Sequence, residues 1–71
     1  MSKIYGRIPV LEALKSGTNI QAIYLANGVK GEIITEISNI AKQRNIKISS
    51  VYPSKIEEVL GRVNSQGVYA L

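Results

Sequence analysis

"NIQAIYLANGVKGEIITEISNIAKQRNIKISSVY", residues 19–52, carries three periodic segments in succession. Its middle, Glu32 to Arg44, sets Ile33, Ile34, Ile37, Ile40 and Ala41 at helical spacing and leaves Glu32, Glu36, Asn39 and Lys42 outside. Glu32 falls in the first turn and Lys42 and Arg44 in the last, each sign complementing the nearer end of the helix dipole. The spacing predicts a helix over 32–44. Before it, Ile23 and Leu25 alternate with Ala22, Tyr24 and Ala26, so both faces are mostly apolar, the pattern of a strand covered on both sides. "NGVKG" between the two reads as a loop. After the helix, "NIKISSVY" alternates and is rich in β-branched residues, which predicts a second strand. A strand–helix–strand unit is the building block of an α/β fold.

Working outward, "YGRIPVLEALKSG" reads as a helix over about 9–15, with Pro9 suited to the first turn and Val10, Leu11 and Leu14 on one apolar face. Gly17 stops it, and Ile8, in the cap position, has no side-chain acceptor for the first-turn amides. Pro53 closes the second strand, and "SKIEEVLG" predicts a further helix with Ser54 and Glu57 as a capping box and Gly61 as its end. Gly67 to Leu71 read as a third strand. This alternation predicts an α/β chain: a small three-layer α/β/α sandwich with a mostly parallel or mixed sheet and helices on both faces. Because "GRVNSQGVYAL" ends the chain on an apolar strand, residues 1–71 read as one domain of a longer protein.

The 71 residues are 45% hydrophobic and 20% charged, the balance of a folded domain. They include no cysteine, histidine or aspartate, which excludes a disulfide framework, a thiolate or histidine metal site, a Ser-His-Asp triad and a histidine general base. Catalysis by these residues alone is therefore not expected. A net charge of +4 favours an anionic partner. The opening Met1-Ser2-Lys3-Ile4-Tyr5-Gly6 lacks the apolar region of a signal peptide, and no apolar run approaches the ~18 residues of a membrane span, so no membrane partner and a cytoplasmic location are expected.

No phosphate-cradling glycine motif is present, "GVKGE" being a weak glycine-containing turn, and Glu57-Glu58 diverge by ~100° on a helix rather than forming a carboxylate pair. Polar loops offer more. If the strands run parallel, "KSGTN" and "GRVNSQG" lie at the same ends of their strands, and Lys15, Thr18, Arg62, Asn64, Ser65 and Gln66 share one rim. There, cations would meet phosphates while amides and hydroxyls reach bases or ribose hydroxyls. Arg7 joins this set on charge, and the neighbouring Tyr5 is the tyrosine best placed to stack on an unpaired base, with Tyr24 and Tyr69 in strands. The competing account of these loops is ordinary turn chemistry.

Two stretches carry a resemblance. "IYGRIPVLEAL" at 4–14 resembles the Tyr-Gly-x-x-x-Val-x-Glu-Ala-Leu opening of the SpoU (TrmH) class of RNA ribose 2′-O-methyltransferases. "SQGVYAL" at 65–71 is similar to the His-Gln-Gly-Val-x-Ala segment that closes the N-terminal substrate-binding domain of those enzymes. Gly6, Val10, Glu12, Ala13, Leu14, Gln66 and Gly67 match; Ile8 and Ser65 depart from the usual Asn or His and His. The resemblance implies a fold similar to the small ribosomal proteins that bind kink-turn RNA. It further implies a non-catalytic domain that holds structured ribosomal or transfer RNA. A separate C-terminal knotted domain would bind S-adenosylmethionine and transfer its methyl group, generally as a homodimer, with no cofactor held in residues 1–71. The alternative is a protein-interaction module that docks on its catalytic domain or on a second subunit.

Overall fold

The computed structural model describes residues 3–71, so Met1 and Ser2, part of the opening judged not to be a signal peptide, lie outside the described residues. Seven elements follow in order: β1 (Ile4–Tyr5), α1 (Arg7–Lys15), β2 (Ala22–Ala26), α2 (Glu32–Gln43), β3 (Lys47–Val51), α3 (Pro53–Leu60) and β4 (Val68–Ala70). The expected α/β class holds: one four-stranded sheet in the order β1-β4-β2-β3, with three helices.

The sheet is mixed, one of the two forms expected. β2 and β3 pair in parallel through the α2 crossover, whereas β4 runs antiparallel to β2, and β1 antiparallel to β4. The reason lies in the segment after α3. An eight-residue helix is about 12 Å long, and the extended reach of residues 61–67 is roughly 23 Å. The chain can therefore climb back past the whole of α3 and enter β4 from the end at which α3 began. Gly61, at φ +82° with nothing within 4 Å of the place a Cβ would take, makes the reversal.

Side-chain alternation sorts the two faces. Ile23 and Leu25 of β2 and Val68 and Ala70 of β4 join Val10, Leu11 and Leu14 of α1 and Ile34, Ile37 and Ala41 of α2 in one buried cluster. The α2 spacing and the β2 alternation read in the sequence thus map onto a single core between the sheet and two helices. On the other face the register aligns Tyr5, Tyr69, Tyr24 and Ser49 in a row across all four strands. Tyr24 and Tyr69 stack, with ring centroids 4.7 Å apart and planes inclined by 16°. Such a pair adds about 0.5–1.5 kcal/mol beyond the area it buries. Tyr69 is only 4% exposed, so this face is covered over its centre. α3 is the helix free to cover it, and its Ile56 is buried outside the first cluster. Burial also raises the Tyr69 hydroxyl above the usual tyrosine value, with the neighbouring Tyr24 adding to the effect.

Three local expectations are corrected. α1 begins at Arg7, not Pro9, so Ile8 lies inside the first turn and is exposed instead of occupying the cap. α3 begins at Pro53 with Tyr52 as its N-cap, and no side chain caps it, so Ser54 and Glu57 form no capping box. β1, two residues long, is additional to the three strands expected.

Candidate functional site

The sheet has two polar edges of different character. The upper edge, at the carboxyl ends of β1, β2 and β3, receives the start of all three helices and the loop into β4. Backbone bonds lace it together: Gly6 donates to Val68, Ala26 to Gly67, and Asn27 to Val51. Helix N-termini present unpaired amides and partial positive charge, and open α/β sheets take ligands beyond the carboxyl ends of their strands.

Arg7 and Gln66 organise this edge. Gln66 holds a left-handed backbone at φ +56°, which turns its side chain toward α1. Its Oε1 accepts from the Arg7 amide at 2.9 Å, supplying from 59 residues away the cap that Gly6 has no side chain to provide. In return Arg7 Nε donates to the Gln66 carbonyl at 3.1 Å and Nη1 to the Lys30 carbonyl at 3.1 Å. One guanidinium fork thus fastens together the start of α1, the loop before α2 and the loop before β4. Three glycines let the chain pack closely here, the first of them against the fork itself. A Cβ on Gly31 would stand 3.1 Å from Arg7 Nη1, one on Gly67 3.0 Å from Val29 Cγ2, and one on Gly6 3.3 Å from Pro9 Cδ. The sequence features Gly6, Gln66 and Gly67 are parts of one knot.

The residues singled out from sequence do not share one rim. That grouping assumed parallel strands, and the antiparallel β4 sends its loop to the upper edge while the loop into β2 stays at the lower. Arg7 and Gln66 come together at the top; Arg62, Asn64 and Ser65 stand on the adjoining loop, with Ser65 Oγ accepting from the Gly67 amide at 3.3 Å. Arg62 is almost fully exposed, its Nε 4.0 Å from Glu57. Lys15 and Thr18 lie at the opposite end. There Lys15 pairs with Glu36 at 3.0 Å, and the Thr18 carbonyl accepts from Arg44 Nη2 at 2.8 Å while Arg44 Nη1 donates to Leu14. Arg44 therefore satisfies carbonyls at the end of α1, a role its own helix's dipole did not suggest. Lys30, not singled out as a candidate contact, joins the upper edge, as does Tyr52, one of four tyrosines able to stack on a base; among the described residues Tyr52 is the most exposed large hydrophobic side chain, at 74%.

Among the described residues no group of three or more His, Cys, Asp or Glu could hold a metal ion, and no helix is long and apolar enough to cross a membrane. The polar, glycine-bearing upper edge is suited to hydrogen bonding and to anions.

A family model described as RNA 2′-O ribose methyltransferase substrate binding matches residues 3–71. A relative from Staphylococcus haemolyticus (strain JCSC1435), named as a TrmH family tRNA/rRNA methyltransferase, is 35% identical over 68 residues, 96% of this chain. The chain corresponds to 27% of that relative's length. Among solved structures, a protein of unknown function from Bacillus halodurans C superposes with a TM-score of 0.74 at 12% identity, over 97% of this chain and 69% of the other, a likeness of fold alone.

Proposed function

This chain belongs to the RNA 2′-O ribose methyltransferase substrate-binding family, and from that premise we propose that it holds structured ribosomal or transfer RNA through its upper edge. The family match across residues 3–71 carries the reading. The net charge of +4 and the gathering of three helix N-termini with Lys30 and Gln66, next to the returning loop that carries Arg62, Asn64 and Ser65, support it. Arg62 and Lys30 meet phosphates; Asn64, Ser65 and the Gln66 amide reach ribose hydroxyls or base edges. Arg7 acts by positioning, since its fork is already spent on two carbonyls. Lys15, held by Glu36 at the other end, contributes only long-range attraction.

In this reading methyl transfer belongs to a separate C-terminal domain of a homodimeric, cytoplasmic parent enzyme, and S-adenosylmethionine binds there; no residue of this chain is assigned to the cofactor. Exposed Ile8 and Val63 favour a second reading, docking on a catalytic domain or another subunit. Salt separates the two. Affinity for a ribosomal RNA fragment should fall with a log–log slope of roughly 0.9 per phosphate neutralised, so two to four contacts give a slope of about 2 to 4. A flat or undetectable response sinks the RNA reading and leaves docking.

A further inference from the structure

Where residues 61–65 climb back along α3 they leave a cleft of about 310 Å³ between the helix and the returning chain. Its volume sits at the lower limit of small-molecule pockets, roughly 300 Å³, which suits a single ring system rather than an extended ligand. Two successive tight turns, Val63 donating to the Gly61 carbonyl and Ser65 to that of Val63, both at 3.0 Å, fix the outer wall. Pro53, buried Ile56 and half-exposed Val63 supply apolar surface, and Glu57, Arg62 and Ser65 supply the polar groups. Glu57 and Arg62 lie 4.0 Å apart, both mostly exposed, so their contact is a loose surface pair that a ligand can displace at small cost.

We infer that this cleft receives one unpaired nucleobase of the bound RNA, and that Glu57 selects guanine. This deepens the RNA-binding reading and rests on it. The chemistry is specific. An unstacked base needs apolar surface for its faces and hydrogen-bonding groups for its Watson–Crick edge. A carboxylate only accepts hydrogen bonds. Guanine is the standard base whose Watson–Crick edge offers two adjacent donors, N1–H and N2–H, to both oxygens of one carboxylate. Adenine, cytosine and uracil each set an acceptor beside their donor, which faces a carboxylate unfavourably. Arg62, released from Glu57, then lies beside the phosphate of the same nucleotide. Glu57, which caps no helix, thereby serves in base recognition.

The test titrates the 71-residue chain with four single-stranded heptamers, three uridines on either side of G, A, C or U, and with free guanosine monophosphate. Backbone amide shifts at Gly61 and Ser65 and fluorescence anisotropy serve as readouts. The G heptamer should bind at least fivefold tighter than the other three and shift those two amides. Glu57→Ala should abolish the preference, and Val63→Ser should weaken all four. Both side chains are on the surface, and an unchanged circular dichroism spectrum verifies the fold. Equal affinities for all heptamers, or a preference that survives Glu57→Ala, overturn the inference while RNA binding stands. Free nucleotide binding as tightly as the G heptamer overturns the assignment to an RNA base. Failure of every heptamer and of structured RNA to bind brings down the underlying RNA reading as well.

Discussion

Replacing Arg7 by alanine separates the two roles a cation can play at the upper edge. The Arg7 fork makes two hydrogen bonds, each at 3.1 Å, to carbonyls of the loops before β4 and α2. Hydrogen bonds from a charged donor contribute about 1.5–3 kcal/mol when well shielded. Arg7 is half-buried, so water competes and about 0.5–1 kcal/mol for each is the sounder figure. Arg7→Ala should therefore cost about 1–2 kcal/mol, which for a domain of this size lowers Tm by about 5–15 °C. Urea unfolding followed by circular dichroism measures it, with the midpoint falling and the slope unchanged. Arg7→Lys discriminates further. One ammonium cannot reach both carbonyls from the positions that Nε and Nη1 occupy, so lysine should recover less than half of the loss. Were Arg7 a phosphate contact, lysine would preserve function and alanine would leave the fold untouched. Wild-type stability in Arg7→Ala, together with a salt slope for RNA reduced by about one, refutes the positioning role.

Two more outcomes follow from the packing. Gly67→Ala should destabilise by more than about 2 kcal/mol, because the new methyl meets Val29 Cγ2 at 3.0 Å in a backbone at φ +80°. Gly28→Ala, at φ +82° with nothing within 4 Å, should cost only the backbone penalty of about 1–2 kcal/mol; equal losses in the two would contradict the described knot. For Tyr69 the raised folded-state value favours the neutral hydroxyl, so its contribution to stability is complete below the ordinary tyrosine value of about 10 and is lost as pH rises through the higher folded value. Unfolding measured between about pH 9 and 11 should show this loss in the wild type and a shallower one in Tyr69→Phe; parallel curves would discount the burial effect.

What the sequence revealed, and what it hid, follows from the range of the forces involved. The α2 helix and the two faces of β2 were legible because burial imposes a period of 3.6 or 2 on neighbouring residues, and the core cluster uses the residues that period picks out. β1 was not legible: two residues carry no period, and Ile4 and Tyr5 are a strand only because β4 pairs with them. Strand direction was equally hidden. Alternating helices and strands suggested parallel order, but the direction of β4 depends on a loop long enough to double back, and chain length alone permits either course. The shared rim depended on the parallel case: with β4 antiparallel, Lys15 and Thr18 separate from Arg62, Asn64, Ser65 and Gln66. The Gln66 cap on α1 could not be read locally either, since its partner is 59 residues away, although the pairing of "YGR" near one end with "SQG" near the other was its trace. Arg44 matched its own helix's dipole so well that its service to the end of α1 left no separate sign.

The decisive question is which end of the sheet meets RNA. Amide chemical shifts of the 71-residue chain, recorded while a ribosomal RNA hairpin is added, answer this directly. Movement concentrated at residues 27–31, 52 and 64–67 is the expected result. Movement confined to Lys15–Asn19 and Lys42–Lys47 would place the partner on the opposite edge and refute binding at the upper one.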